Sequence, residues 1–181
     1  PDRRPFVMIH ARLISLLCLV IAYGGCHTAE ATHNQNSVGP NRAAQTAPAD
    51  TEIVLERQEC DLTCPVYKVT ISGDGSFVYE GRRFVKRTGI VRGSIGREKL
   101  AELVSEVERI GYFSLKDKYS PGGECPQAVT DYPTAITSVR LGGKSKRIEH
   151  YYGCTGSDAI QALADLESKI DQAVNSRQWV E

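Results

Sequence analysis

Four cysteines and one histidine are the residues of this chain best equipped for chemistry: Cys60-x-x-x-Cys64, then Cys125, then His150-x-x-x-Cys154. Thiolate and imidazole together make tetrahedral zinc sites. The spacing opposes that use, because structural zinc sites favour a short ligand pair on both sides and here the second side opens on a lone Cys125; no metal and no cofactor is expected. A catalytic dithiol is opposed too, since it normally uses Cys-x-x-Cys at a helix start, where the dipole lowers a thiol pKa. Cross-linking remains. Four thiols allow three pairings. Cys60 with Cys64, closing a short turn, and Cys125 with Cys154, tying a long loop to the end of a strand, is the preferred set. Disulfides belong to an oxidising compartment.

His150 is the only histidine in the folded part of the sequence. Any imidazole-activated nucleophile would have to use it, with Asp131 to orient the ring and Ser138 or Ser157 to attack. Neither serine sits in a nucleophile-elbow motif. The simpler expectation is that His150 ends a strand and hydrogen-bonds near Cys154. Arg82, Arg83, Lys86, Arg87, Arg92, Arg97 and Lys99 form a basic run opposed only by Glu98. Such a run either meets an anionic partner or guards a sheet edge against pairing. No aromatic interleaving on a known motif accompanies it, so nucleic acid is not expected. The lone acidic turn at Asp74-Gly75 supplies too few oxygens for a calcium loop.

The elements that must position these residues begin after an export signal. Arg12 precedes the apolar run Leu13 to Ala22, which ends in Tyr23-Gly24-Gly25-Cys26. At about ten residues the run suits a signal peptide and falls short of the roughly 20 residues of a membrane-spanning helix. Gly24 and Gly25 before Cys26 fit a lipoprotein processing site, although Tyr23 stands where an aliphatic residue is usual. Residues 1–25 are therefore expected to be a signal, with 1–7 an upstream extension before Met8, and Cys26 the lipidated residue. Cleavage after Ala22-Tyr23-Gly24 with simple secretion is the alternative. Residues 26–50, rich in Ala, Thr, Asn, Gln and Pro without apolar periodicity, read as a flexible tether. His27 after Cys26 favours the outer membrane, facing the periplasm.

Residues 51–181 are long enough for one domain with its own core. The full chain carries 22 basic and 22 acidic residues; removing Arg3, Arg4, Arg12 and Asp2 with the signal leaves 19 and 21, net −2. Strands are expected at Ile53 to Arg57, Val66 to Ser72, Phe77 to Gly81 and Thr88 to Ile95, with Gly73-Asp74-Gly75 turning the second hairpin. Leu100, Leu103, Val104, Val107 and Ile110 share one helical face, capped by Ser94 or Gly96 and ended by Gly111. A loop from Lys116 to Pro133 leads to strands Thr134 to Leu141 and Lys144 to Tyr151. A last helix, Ser157 to Asn175, turns Ile160, Leu163, Leu166, Ile170 and Val174 inward. The order ββββ-α-ββ-α predicts an α+β fold: an antiparallel sheet of about six strands with two helices on one face.

The run Cys60-Asp61-Leu62-Thr63-Cys64-Pro65-Val66-Tyr67, with Gly73-Asp74-Gly75 and Tyr79-Glu80-Gly81, resembles the opening of the bacterial domain of unknown function 6438. Thr130-Asp131-Tyr132-Pro133-Thr134, His150-Tyr151-Tyr152-Gly153-Cys154 and Ile170-Asp171 fit the same family. The resemblance implies an exported setting but no activity and no catalytic residue. The sequence as a whole reads as an envelope module held at the membrane by its N-terminal lipid, disulfide-braced and non-enzymatic, with an envelope protein or polymer as partner. A small periplasmic hydrolase using His150 and Asp131 is the alternative.

Overall fold

A computed structural model describes residues 47–181. The expected signal, Cys26 and nearly all of the expected tether lie outside the described residues. Four strands open the domain: β1 (Glu52–Arg57), β2 (Val66–Ser72), β3 (Ser76–Arg83) and β4 (Gly89–Ser94). Helix α1 (Gly96–Arg109) follows, then a 3-10 turn at Tyr112–Ser114 and two short strands, β5 (Lys118–Tyr119) and β6 (Gln127–Ala128). The chain closes with β7 (Thr134–Leu141), β8 (Lys144–Tyr151), β9 (Cys154–Thr155), α2 (Asp158–Val174) and α3 (Arg177–Val180).

The fold is α+β, and its sheet is larger than the six strands the sequence suggests. Seven strands run in the order β4-β3-β2-β1-β7-β8-β5, all antiparallel except β5 against β8. A separate ribbon pairs β6 with β9. The three additional strands are two residues each, too short to show a period, and two of them lie inside the segment expected to be loop.

Alternation places Ile53, Leu55, Tyr67, Val69, Ile71, Phe77 and Tyr79 on the inner face, where they form the core with Leu100, Leu103 and Val107 of α1 and Ile160, Leu163, Leu166 and Ile170 of α2. Ser157 caps α2 by accepting from the Ile160 N–H at 3.3 Å, a local bond that satisfies an orphan donor of the first turn. Asn175, at φ 55°, ends it in the left-handed region. The α3 segment adds Trp179, whose ring centroid lies 4.8 Å from that of Tyr79 and 5.9 Å from that of Phe77. Among the described residues no helix is long and apolar enough to cross a membrane.

Candidate functional site

One row of the inner sheet face is polar where its neighbours are apolar. The register sets Tyr67 opposite Arg57, Arg57 opposite Ala135, and Ala135 opposite His150. Arg57 continues the inward alternation of Ile53 and Leu55, so strand geometry alone turns a guanidinium toward the core. The small Ala135 separates Arg57 from His150. Tyr152, just past the end of β8, stacks on His150 with centroids 4.6 Å apart, and the Arg57 guanidinium carbon lies 5.0 Å from the same ring's centroid.

Helix α2 lowers two carboxylates onto this row. Glu167 and Asp171 are four residues apart, hence on one face. Glu167 is fully buried and receives Thr137 Oγ1 at 3.0 Å, Tyr152 Oη at 2.6 Å and His150 Nδ1 at 3.1 Å. A carboxylate only accepts, so Nδ1 carries the hydrogen of that last bond. Asp171 receives Arg57 Nη2 at 2.9 Å, Tyr67 Oη at 2.8 Å and Ser176 Oγ at 2.8 Å. Arg57 also donates to Tyr152 Oη, which joins the two carboxylate clusters into one network.

Burial alone would lower the Arg57 pKa; the facing oxygens of Tyr152 and Asp171 outweigh it, and the net shift is upward. Burial, then the charge of Glu167, pushes the Tyr152 phenol up. Burial, then Asp171, does the same to Tyr67. Arg57 stays a cation and both phenols stay protonated donors, which is the state the hydrogen bonds need.

A carboxylate on Nδ1 of a histidine is the arrangement that orients an imidazole for proton transfer. Here the network is nearly sealed. Its opening is a hollow of about 210 Å³ lined by His150, Tyr152, Cys154, Ser157 and Gln161 among others. His150 itself is 1 % exposed.

The structure brings His150, Cys154 and Ser157 together and leaves Asp131 out. The carboxylate on His150 is Glu167, a correction to the expected His150–Asp131 pair. Asp131 sits exposed in the loop before β7 at φ 68°, accepting from Thr130 Oγ1 at 3.2 Å. Ser138 lies on β7 one residue past Thr137, so it points to the opposite face of the sheet. Cys60 bonds Cys64 with Cα atoms 5.6 Å apart, and Cys125 bonds Cys154 at 5.4 Å. With all four sulfurs in disulfides, none is available as a thiolate ligand. Of the basic run, Arg82 pairs with Glu80 at 3.2 Å and Arg83 with Glu59 at 2.7 Å. Among the described residues Lys86 and Arg87 have no carboxylate partner.

Glu167, Asp171, Arg57 and Tyr152 were not among the expected site residues. A signal for Glu167 exists: it stands two helical turns from both Ile160 and Val174, inside the apolar stripe. Tyr67, Tyr152 and Asp171 all fall in the segments that carry the family resemblance.

No curated protein matches the chain. A family comparison matches residues 51–174, described as Domain of unknown function (DUF6438). That stretch runs from the residue before β1 to the end of α2 and contains every member of the Arg57–Glu167 network except Ser176. The chain therefore belongs to the DUF6438 family.

Proposed function

We propose that this chain is an exported cell-envelope module, anchored through a lipid on Cys26 and facing the periplasm from the outer membrane, which acts by binding rather than by catalysis. The observation that carries the reading is the pair of disulfides, Cys60–Cys64 and Cys125–Cys154. Such bonds persist in oxidising compartments, and the signal-like run before Cys26 gives a route to one. The polar network supports binding over catalysis because Glu167 is taken up by Thr137, Tyr152 and His150 Nδ1 and acts as an internal pin between α2 and the sheet.

Two measurements test this. Alkylation of thiols in intact cells, followed by mass spectrometry, should find the four cysteines protected; free thiols at Cys60 and Cys64 would overturn export. Labelling with an acyl precursor should mark the chain and leave a Cys26→Ala variant unmarked. A label retained by that variant would overturn the anchor.

One observation favours a second, hydrolase-like reading: His150, with Glu167 behind it, shares its hollow with Ser157. In it Glu167 takes the orienting place. Turnover of a small ester panel, lost in both Ser157→Ala and His150→Asn, is what this reading requires. Turnover absent from the purified chain, or unchanged in Ser157→Ala, would sink it.

A further inference from the structure

The seven-stranded sheet has two edges of very different character. At one, the two-residue β5 covers Glu149 and His150 of β8 and leaves Lys144 to Ile148 open. At the other, β4 runs six residues from Gly89 to Ser94 and pairs with β3 alone. Apart from the half-buried Val91, every β4 residue is exposed, and Ile90 is 53 % exposed. An edge of this length offers a row of free backbone donors and acceptors to any strand that can approach it.

The edge is held in place at both ends. Arg87 N–H donates to the Trp179 carbonyl at 2.9 Å, which pins the turn before β4 to α3. Ile95 N–H donates to the Gly75 carbonyl at 2.9 Å and fixes the exit. Gly81 is required beneath that turn, because a Cβ there would run into the Arg87 carbonyl. Phe84 is 46 % exposed and held in the left-handed region at φ 53°, a costly conformation for an aromatic residue that surrounding contacts must enforce.

Charge distinguishes this edge further. Lys86 and Arg87 precede β4, Arg92 lies on it, and Arg97 and Lys99 follow it. Among the described residues none of these five has a carboxylate within ion-pair distance, whereas Arg82 and Arg83 are matched by Glu80 and Glu59. Glu98 is the one acid between Lys86 and Lys99. The unmatched part of the basic run thus brackets an edge strand that is open along its whole length.

We propose that the β4 edge is a strand-addition site for an extended acidic segment of a partner protein. The proposal rests on the reading of this chain as a binding module and names the partner's chemistry. Main-chain bonds to β4 supply affinity, and side chains on alternate positions supply selectivity. Ile90 and Arg92 are two residues apart and share the outer face, so the incoming strand places an apolar residue beside one and a carboxylate beside the other. A second copy of this chain is disfavoured, since β4 against β4 would face two cationic clusters. A polyanion satisfies the charges but leaves Ile90 and the backbone edge unused.

The test uses the full chain, purified with both disulfides oxidised, and a fluorescent peptide of alternating valine and glutamate beside its lysine counterpart. The glutamate peptide should bind more tightly by at least about tenfold, weakening as salt rises. Amide hydrogen exchange should slow in β4 and stay unchanged in β5. The exposed double variant Lys86→Glu/Arg92→Glu should invert the preference between the two peptides. Equal binding of both peptides overturns the proposal. So does binding without protection in β4, the result expected if inorganic polyphosphate competes for a plain polyanion patch. Self-association that protects β4 without peptide also overturns it, assigning the edge to a second copy. Failure of peptide binding leaves the thiol and acyl results standing, and free thiols in the cell would sink the envelope reading while leaving peptide binding measurable.

Discussion

Asp171 of α2 and Arg57 of β1 meet at 2.9 Å, each less than one-fifth exposed, and this contact fastens the last turn of the long helix to the middle of the sheet. Removing Asp171 leaves a cation, the Tyr67 phenol and the Ser176 hydroxyl without their shared acceptor. Asp171→Ala should therefore lower stability by about 2 to 3 kcal/mol, because the remaining groups keep their desolvation cost. Combining it with Arg57→Met should cost clearly less than the two single changes together, by about 1 kcal/mol or more in a double-mutant cycle from urea unfolding. Additive losses would mean that the two residues act independently.

Tyr79 poses the opposite case. Its side chain is fully buried among Tyr67 and Trp179, and its hydroxyl has no hydrogen-bond partner among the described residues. A buried hydroxyl without a partner costs about 1 to 3 kcal/mol. Tyr79→Phe keeps the ring and removes that cost, so it should raise the unfolding free energy, measured by urea titration, by an amount on the order of 1 kcal/mol. Destabilisation by this change would show that the hydroxyl has found a partner.

The Cys125–Cys154 bond closes a separation of 29 residues, against 4 for Cys60–Cys64. Chain entropy ranks them: about 3 to 4 kcal/mol for the longer loop and about 2 for the shorter. A Cys125→Ala/Cys154→Ala variant should lose more stability than Cys60→Ala/Cys64→Ala, measured in oxidising buffer. The longer bond also joins the loop before β6 to β9, so its loss should raise hydrogen exchange at Gln127 and Ala128.

The elements with a period were legible in the sequence. Alternation in Val66–Ser72 and the apolar stripe of α2 both correspond to observed elements within a residue or two. The network was not legible, for two reasons. Arg57 looks like a strand's polar end until the register shows it facing inward beside Ala135, and register is a long-range property. Glu167 stands out in the sequence only as an acid inside an apolar stripe, and its partners Thr137, Tyr152 and His150 lie 15 to 30 residues away. The short strands β5, β6 and β9 were hidden because two residues cannot display alternation. Residue type alone makes Asp131 a partner for His150, but it sits in an exposed loop at positive φ, away from the ring.

Glu106 should set the acid limit of stability where α1 meets α2. It lies on α1 at 8 % side-chain exposure, 2.5 Å from Arg109 Nη2 and 2.8 Å from Lys169 Nζ of α2. The Arg109 hydrogen bond first, and then that of Lys169, overcome the cost of burial and bring its carboxyl down to about 2. A group whose folded pKa lies below its unfolded value binds fewer protons when folded. Its contribution is therefore complete above the ordinary glutamate range and disappears as pH falls toward 2. Arg109 and Lys169 are largely exposed, so screening reduces the contribution to an amount on the order of 1 kcal/mol. Unfolding free energy measured by urea titration should fall across that window, and Glu106→Gln should flatten this part of the decline while lowering stability at neutral pH. A variant whose pH profile parallels that of the native chain would assign the acid sensitivity to other carboxylates.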